Sequence, residues 1–266
     1  MCYFRVKAAR MDCYNCGATL NRKTRSAEHI LPRSIGGKRI AYNLLCKSCN
    51  EQFGRTIDNE LASRLTRFYT LLNSGEPVLP ATNVSGNRKD GKIALHEKFI
   101  ARVKKNRSFA GSKDYFRAIA KICLNYYLSK GYPKQYCETI KAFIRSGTPD
   151  NIFQYYAPES VSIHQLSENE VSHVLHIHGN KQSGLLYAYI ELFNMQNLIF
   201  IFSMEYDERD IDVTWCRDVI TNADLTKDVQ LHLTREQLEH PGMSSADMEE
   251  RLFPRFERLL RIIQGR

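Results

Sequence analysis

Two pairs of cysteines, each separated by two residues, constrain the fold of this chain more than any other feature of its sequence. Cys13 and Cys16 form the first pair, and Cys46 and Cys49 form the second. Four thiolates satisfy a tetrahedral zinc ion, and a short knuckle presents two sulfurs at the spacing that such an ion requires. Because the first residues contain no apolar signal-peptide core, the pattern predicts metal binding rather than disulfides. We therefore predict a structural zinc (Zn2+) site in the N-terminal part of the chain.

Basic residues are concentrated in the first part of the chain. Residues 1–110 contain 21 Lys and Arg against 8 Asp and Glu, whereas residues 111–266 contain 17 against 21. Such a basic segment predicts a polyanionic partner, and a nucleic acid fits this charge best. The alternative is a basic surface that only keeps the protein soluble.

Hydrophobic periodicity predicts an α+β protein with two domains. Apolar residues recur at helical spacing from Ile57 to Leu72, and residues 78–112 are interpreted as a basic hairpin or linker. Two helices follow, then four strand-like runs, two of which are joined by a short turn at 193–197 that predicts a hairpin. We predict a domain boundary near residue 110. Residues 1–110 would form the zinc-stapled domain, and residues 111–266 an antiparallel sheet with flanking helices.

The segment around the two cysteine pairs contains the string EHILPRSIGGKRIAYNLLCKSCN, preceded by CYNC. These residues resemble the HNH endonuclease family, in the form whose ββα-metal core is stapled by four cysteines. The resemblance covers roughly residues 10 to 60, about a fifth of the chain. It implies a nuclease that uses a catalytic Mg2+ or Mn2+ ion in addition to the structural zinc.

The resemblance also implies roles for four residues of the motif. His29 matches the general base that activates the attacking water, and Glu28 matches the acidic metal ligand. Asn43 matches the residue that braces the loop, and Asn50 matches the second metal ligand. Elementary chemistry agrees, since a hard cation prefers oxygen ligands and an imidazole can accept a proton near neutral pH. Adjacent strand residues point to opposite faces, so Glu28 and His29 need not touch each other.

Several basic residues are candidates for phosphate contacts with the expected partner, DNA. Sequence-independent binding comes from Lys and Arg that neutralise phosphates. The candidates in the motif loop are Arg33, Lys38 and Arg39, and those in the basic stretch 88–107 are Arg88, Lys89, Lys104 and Lys105. The alternative for each of them is a solvated surface position.

Two patterns in the second half are interpreted as structural. His176 and His178 lie on one face of a predicted strand, with His173 nearby, but no matching acid or cysteine is evident beside them. The acidic segment 205–212 lacks the spacing of a calcium-binding loop and is interpreted as an acidic turn.

The leading hypothesis is a cytoplasmic, metal-dependent endonuclease acting on DNA, which by analogy suits bacterial restriction or phage defence. The sequence contains no run of 18 apolar residues, so no membrane span is predicted. Residues 111–266 would recognise a DNA feature, bind a small-molecule or protein activator, or form a homodimer. The alternatives are a zinc-stapled nucleic-acid-binding module without catalysis and an RNA-directed nuclease.

Overall fold

The computed structural model describes residues 11–74, 87–89, 92–94, 111–156, 162–164, 166–226, 229, 231–240 and 245–264. Its N-terminal part consists of short elements. Strands β1 (Glu28–His29) and β2 (Ile40–Ala41) pair antiparallel, and they are followed by helices α1 (Lys47–Arg55) and α2 (Ile57–Ser74). The helix predicted from Ile57 to Leu72 is confirmed by α2, whose inward-facing leucines are buried.

A second hairpin lies in the basic region. Strand β3 (Asn87–Lys89) pairs antiparallel with β4 (Lys92–Ala94), which agrees with the hairpin interpretation for these residues. The predicted domain boundary near residue 110 lies outside the described residues. The division into 1–110 and 111–266 therefore stays a prediction.

The C-terminal part combines helices with a sheet, as predicted. Its elements are α3 (Lys113–Ser129), α4 (Glu138–Ser146), β5 (Phe153–Tyr155), β6 (Ser172–Asn180), β7 (Leu185–Leu192), β8 (Gln196–Ser203), β9 (Ile211–Asp218), α5 (Arg235–Glu239) and α6 (Ser245–Gln264). The side chain of Ser112 accepts a hydrogen bond from the backbone N–H of Tyr115 and caps α3, and Gly147 ends α4 in the left-handed conformation.

The five C-terminal strands form one antiparallel sheet in the order β5–β8–β7–β6–β9. Phe193 and Asn194 adopt positive φ values of 58° and 49° in the turn that joins β7 to β8. Two consecutive residues with positive φ match the twist of a two-stranded hairpin. The hairpin predicted across residues 193–197 is confirmed.

Both faces of the sheet are covered, and the central strand β7 is apolar or aromatic at every position except Glu191. Every residue of β7 is buried. Leu186, Ala188 and Ile190 face the main core with α3, whereas the alternate residues pack against a second apolar cluster that includes Val229, Leu231, Leu233 and Leu238. Burial on both faces favours continuous rather than alternating hydrophobicity.

The main core continues from the C-terminal part into the N-terminal part. Phe68 of α2 contacts Phe193 of the sheet turn and Phe256 of α6, with ring centroids 6.0 and 5.9 Å apart. Helix α3 also packs along α2 and reaches the β1–β2 hairpin through Lys121. No helix in the described part of the chain is long and apolar enough to cross a membrane.

Candidate functional site

The two cysteine pairs lie together at the start of α1. Cys13 and Cys16 occupy a tight turn closed by hydrogen bonds from the Cys13 N–H to Ala18 O and from the Gly17 N–H to Cys13 O. Cys46 immediately precedes α1 and Cys49 lies in its first turn. The four sulfur atoms all lie within 4.8 Å of one another. The predicted clustering of the four cysteines is confirmed.

The geometry and chemistry of this cluster fit a zinc ion. Four sulfurs bound tetrahedrally at about 2.3 Å lie about 3.8 Å apart, and the Sγ atoms of Cys16 and Cys46 are 3.7 Å apart. Burial acts to raise the pKa of Cys46, but hydrogen bonds from the Cys49 backbone and the neighbouring thiols outweigh it and lower that pKa to about 7. Burial raises the pKa of Cys49, so the four thiols do not all ionise by themselves, and a bound zinc ion would release the remaining protons.

A polar contact from the turn reaches the cluster. The side-chain amide of Asn15 donates a hydrogen bond of 3.2 Å to Cys49 Sγ, and the guanidinium of Arg145 on α4 donates to Asn15 Oδ1 and to the carbonyl of Tyr14. Hydrogen bonds to ligand sulfurs orient them and tune a metal site. Helix α4 thus supports the cysteine turn, although no sequence signal connected Arg145 with it.

Strand β1 places Glu28 and His29 on opposite sides of a small hairpin. Glu28 pairs with Ala41 and His29 with Ile40 across the two strands. Glu28 is 3% exposed and faces inward, whereas His29 is half-buried. The alternation expected for adjacent strand residues is therefore present, and only His29 is open to solvent.

The carboxylate of Glu28 belongs to a buried polar cluster with α3 and α2. Its Oε1 accepts hydrogen bonds from Lys121 Nζ at 2.6 Å and from Asn125 Nδ2 at 2.8 Å. Lys121 Nζ also donates to Asp58 Oδ2 at 2.8 Å. Burial raises the pKa of Glu28, and Lys121 partly offsets that rise.

The arrangement of these charges has a chemical consequence. Two carboxylates, Glu28 and Asp58, face one ammonium group, so the ionised cluster carries one net negative charge. The hydrogen bonds from Lys121 and Asn125 both end on Oε1 of Glu28, so Oε2 can accept another ligand. A cation is attracted to such a cluster more than an anion is. Asp58, Lys121 and Asn125 were not among the candidate residues from the sequence.

The remaining motif residues lie on the loop and helix that follow β2. Asn43 is exposed in a bend between β2 and α1, and Asn50 is half-buried in the first turns of α1, with its backbone N–H bonded to Cys46 O. The roles of His29, Glu28, Asn43 and Asn50 stay predictions.

The basic loop candidates are all on the surface. Arg33, Lys38 and Arg39 are exposed in the loop between β1 and β2. Arg88 and Lys89 lie on β3, of which only the backbone is described, and Lys104 and Lys105 lie outside the described residues. Their phosphate contacts also stay predictions.

The return loop of the motif is tightly packed against the sheet. A Cβ atom at Gly37 would lie 1.7 Å from the carbonyl oxygen of Leu31, so only glycine fits there, and Gly36 has a φ of +94°. The carbonyl of Ile35 is 3.0 Å from Nε2 of His173 on β6. The Nδ1 atom of His173 accepts a hydrogen bond from the backbone N–H of Phe193.

These contacts define the protonation state of His173. A carbonyl only accepts and a backbone N–H only donates, so the ring must be neutral with its proton on Nε2. Burial lowers the pKa of His173 to about 4. This histidine therefore holds the motif loop against the sheet in its neutral form.

The stability of the protein should consequently fall in acid through His173. Its pKa in the folded state lies below the unfolded value of about 6.5, so its contribution is complete above that pH and is lost as pH falls towards 4. The loss amounts to about 3 kcal/mol at most. Between neutral pH and pH 4, the free energy of unfolding measured in urea should fall less in His173→Gln than in the unchanged chain. His240→Gln, at an exposed position, should leave the pH effect as it is; equal pH effects in all three proteins would contradict the prediction.

The comparisons with known proteins agree with the motif and the cysteine cluster. Residues 13–66 match the family model of the HNH endonuclease. The match includes both cysteine pairs and all four motif residues, and the predicted resemblance to this family is confirmed. No curated protein and no solved structure matches the chain. Residues 13–66 are thus similar to an HNH endonuclease domain, which indicates nuclease activity and a nucleic-acid substrate in general terms.

Proposed function

We propose that this protein is a metal-dependent endonuclease that hydrolyses DNA phosphodiester bonds, with His29 as the general base. The observation that carries the proposal is the HNH family match over residues 13–66, which contains the half-buried His29 and the four clustered cysteines. A solvent-accessible imidazole on the edge of a short hairpin can be reached by water and by a phosphate of the nucleic acid. His29 accepts the proton of the attacking water.

The inward face of the same hairpin supplies the acidic side of the site. Glu28, positioned by Lys121 and Asn125, would hold a Mg2+ or Mn2+ ion together with the side-chain oxygen of Asn50. When bound, such an ion stabilises charge on the phosphoryl group and on the leaving oxygen. The net negative charge of the Glu28, Asp58 and Lys121 cluster supports this assignment.

The loop between the strands and α1 completes the proposed site. Asn43 braces the loop that leads from β2 to Cys46, so that Asn50 is held on α1. Arg33, Lys38 and Arg39 are exposed on the loop after His29 and would contact phosphates, with Arg88, Lys89, Lys104 and Lys105 adding further contacts. These contacts carry no sequence information, so any sequence-specific recognition would come from other residues.

Supercoiled plasmid, incubated with and without Mg2+ or Mn2+, tests the proposal. The unchanged chain should nick or linearise the plasmid only with the metal, and His29→Ala should lower the rate by about 10²–10⁴-fold because general-base catalysis is lost. His240→Ala, which changes an exposed histidine outside the matched segment, is the matched control and should cleave normally. Gel shifts should show the same plasmid affinity for all three proteins.

Each of the other possible outcomes of these assays supports a different mechanism or function. Cleavage by His29→Ala at the unchanged rate would remove His29 from the mechanism. Plasmid binding without cleavage, repeated on modified DNA, would favour a zinc-stapled binding module. Metal-dependent cleavage of a folded RNA with no cleavage of DNA would favour an RNA-directed nuclease.

A further inference from the structure

A second cluster of metal-binding side chains lies on the C-terminal sheet, away from the HNH domain. One ligand atom from each of His176, His178 and Asp212 lies within 4.8 Å of the other two. His178 and Asp212 are direct cross-strand partners on β6 and β9, and His176 lies two residues earlier on the same face of β6. The antiparallel register therefore brings together groups that are 34 residues apart in sequence.

The buried histidines of this cluster have ring nitrogens without hydrogen-bond partners. His176 is 0% exposed and His178 is 7% exposed. Nε2 of His176 and Nδ1 of His178 are buried atoms that make no hydrogen bond. A buried polar atom without a partner costs about 1–3 kcal/mol, and most such atoms in proteins have a partner. Nδ1 of His178 faces the carboxylate of Asp212 at 3.4 Å, whereas Nε2 of His176 has no hydrogen-bond partner among the described residues. A ligand bound in the cluster would satisfy Nε2 of His176.

The distances in the cluster suit metal coordination. Nδ1 of His178 and Nε2 of His232 lie 3.4 and 3.6 Å from the same oxygen, Oδ2 of Asp212. Two ligands bound tetrahedrally at about 2.0–2.1 Å lie about 3.3–3.4 Å apart. The rings of His178 and His232 are also in contact, with centroids 4.9 Å apart.

A hydrogen bond to Thr214 orients the ring of His176 as a metal ligand requires. Nδ1 of His176 is 2.8 Å from Thr214 Oγ1, so its proton can be donated to the hydroxyl while Nε2 stays free. Such a hydrogen bond from the second ring nitrogen usually fixes the tautomer of a metal-binding histidine. The ring of Tyr187 packs beside His178 at 5.1 Å between centroids.

We propose that His176, His178 and Asp212 form a second metal site for a divalent transition-metal ion of the zinc class, and that the exposed His232, which lies 3.6 Å from Asp212, closes on the ion as the fourth ligand. Three imidazoles and one carboxylate match the ligand preference of zinc, cobalt or nickel ions, whereas Mg2+ and Ca2+ prefer oxygen ligands alone. His176 and His178 form its buried floor, and Asp212 and His232, which are 47% and 61% exposed, form its mouth.

The position of the site indicates what the metal does. His232 lies in the segment 229–233, whose Val229, Leu231 and Leu233 cover the second apolar cluster of the sheet. An ion bound to all four side chains links this segment to β6 and β9. The metal therefore stabilises the packing of Val229, Leu231 and Leu233 against this face of the sheet. It does so independently of the cysteine cluster and of the proposed nuclease chemistry.

Cobalt binding to the full chain, stripped of metal, distinguishes the two sites. Co2+ bound by thiolates gives intense ligand-to-metal absorption in the near ultraviolet, whereas Co2+ bound by imidazole and carboxylate gives only weaker visible bands. We expect the unchanged chain to show both spectral types, one from the cysteine cluster and one from the histidine and aspartate cluster. The doubly changed Asp212→Asn, His232→Gln chain should lose only the weaker bands and bind about one zinc less per chain. Both positions are exposed, so this variant should fold.

A matched control changes an acid and a histidine at exposed positions outside the cluster. Glu208→Gln combined with His240→Gln should keep both cobalt signals. The proposal is overturned if the unchanged chain shows thiolate-bound cobalt alone, or if the Asp212→Asn, His232→Gln chain keeps the weaker bands. Neither result depends on nuclease activity.

Discussion

Replacing Cys46 by serine is expected to abolish zinc binding at the cysteine cluster and to unfold residues 13–57. This part of the chain contains little regular secondary structure: a hairpin with two residues per strand, one turn of 3-10 helix at Arg33–Ile35 and one short α-helix. A structural zinc ion contributes an apparent binding free energy of about 10–16 kcal/mol in zinc-finger peptides. That exceeds the total stability of many domains, about 5–15 kcal/mol. The loss of one thiolate ligand should therefore be enough to unfold the segment.

Two measurements check this expectation. The absorption of thiolate-bound Co2+ should disappear in Cys46→Ser, and amide hydrogen exchange should become fast in residues 13–57. Cys137→Ser is the matched control, because Cys137 is also buried but lies 3.9 Å from the carbonyl of Pro133, which can accept a hydrogen bond from a serine hydroxyl. A stable, slowly exchanging Cys46→Ser protein would contradict the four-thiolate site.

Replacing Lys121 by methionine should destabilise the protein by about 3–5 kcal/mol, because it leaves the buried carboxylate of Glu28 and the partly buried carboxylate of Asp58 without their cation. The Lys121 side chain is 5% exposed and pairs with Glu28 and Asp58 at 2.6 and 2.8 Å. Methionine fills a similar volume, so the effect reports on charge rather than on packing. Urea unfolding near neutral pH measures the change. Lys134→Met, at an exposed position, should change the free energy of unfolding by about 0.5 kcal/mol or less.

Combining Lys121→Met with Glu28→Gln tests whether the stability lost in Lys121→Met comes from the ion pair with Glu28 or from other contacts of Lys121. Glu28→Gln removes the closer of the two carboxylates, so the combined Lys121→Met, Glu28→Gln protein should be more stable than the sum of the single effects predicts. Coupling between neighbouring groups of this kind is about 0.5–3 kcal/mol. Strictly additive effects would show that the two groups do not interact in solution.

The contact between Lys121 and Glu28 also shows why part of the site was missed from the sequence. The motif around Glu28 and His29 is continuous and local, so it could be recognised from its spacing. Lys121 lies 93 residues later, and nothing in the motif indicates its partner. A signal was present, because Lys121 and Asn125 lie one helical turn apart within residues 118–128, whose other members are apolar or tyrosine, and such pairs share a face.

The histidines of β6 illustrate the same division in the C-terminal part. His176 and His178 are two residues apart, which predicted that they lie on one face of a strand. They were interpreted as structural because no acidic residue was evident beside them in the sequence. The acid is Asp212, which belongs to the segment interpreted as an acidic turn. Only the pairing of β6 with β9 brings the two patterns into one cluster.

Local spacing was enough to predict the cysteine cluster, the HNH motif, helix α2 and the strands of the C-terminal sheet, because each depends on residues close together in the chain. Tertiary structure alone decided which groups surround Glu28, why the Ile35 carbonyl meets His173, and how His232 reaches Asp212. These contacts depend on strand order and helix packing, which the burial of apolar surface determines over the whole chain. Hydrophobic burial is not directional, so the sequence indicates which residues are buried but not which buried groups meet.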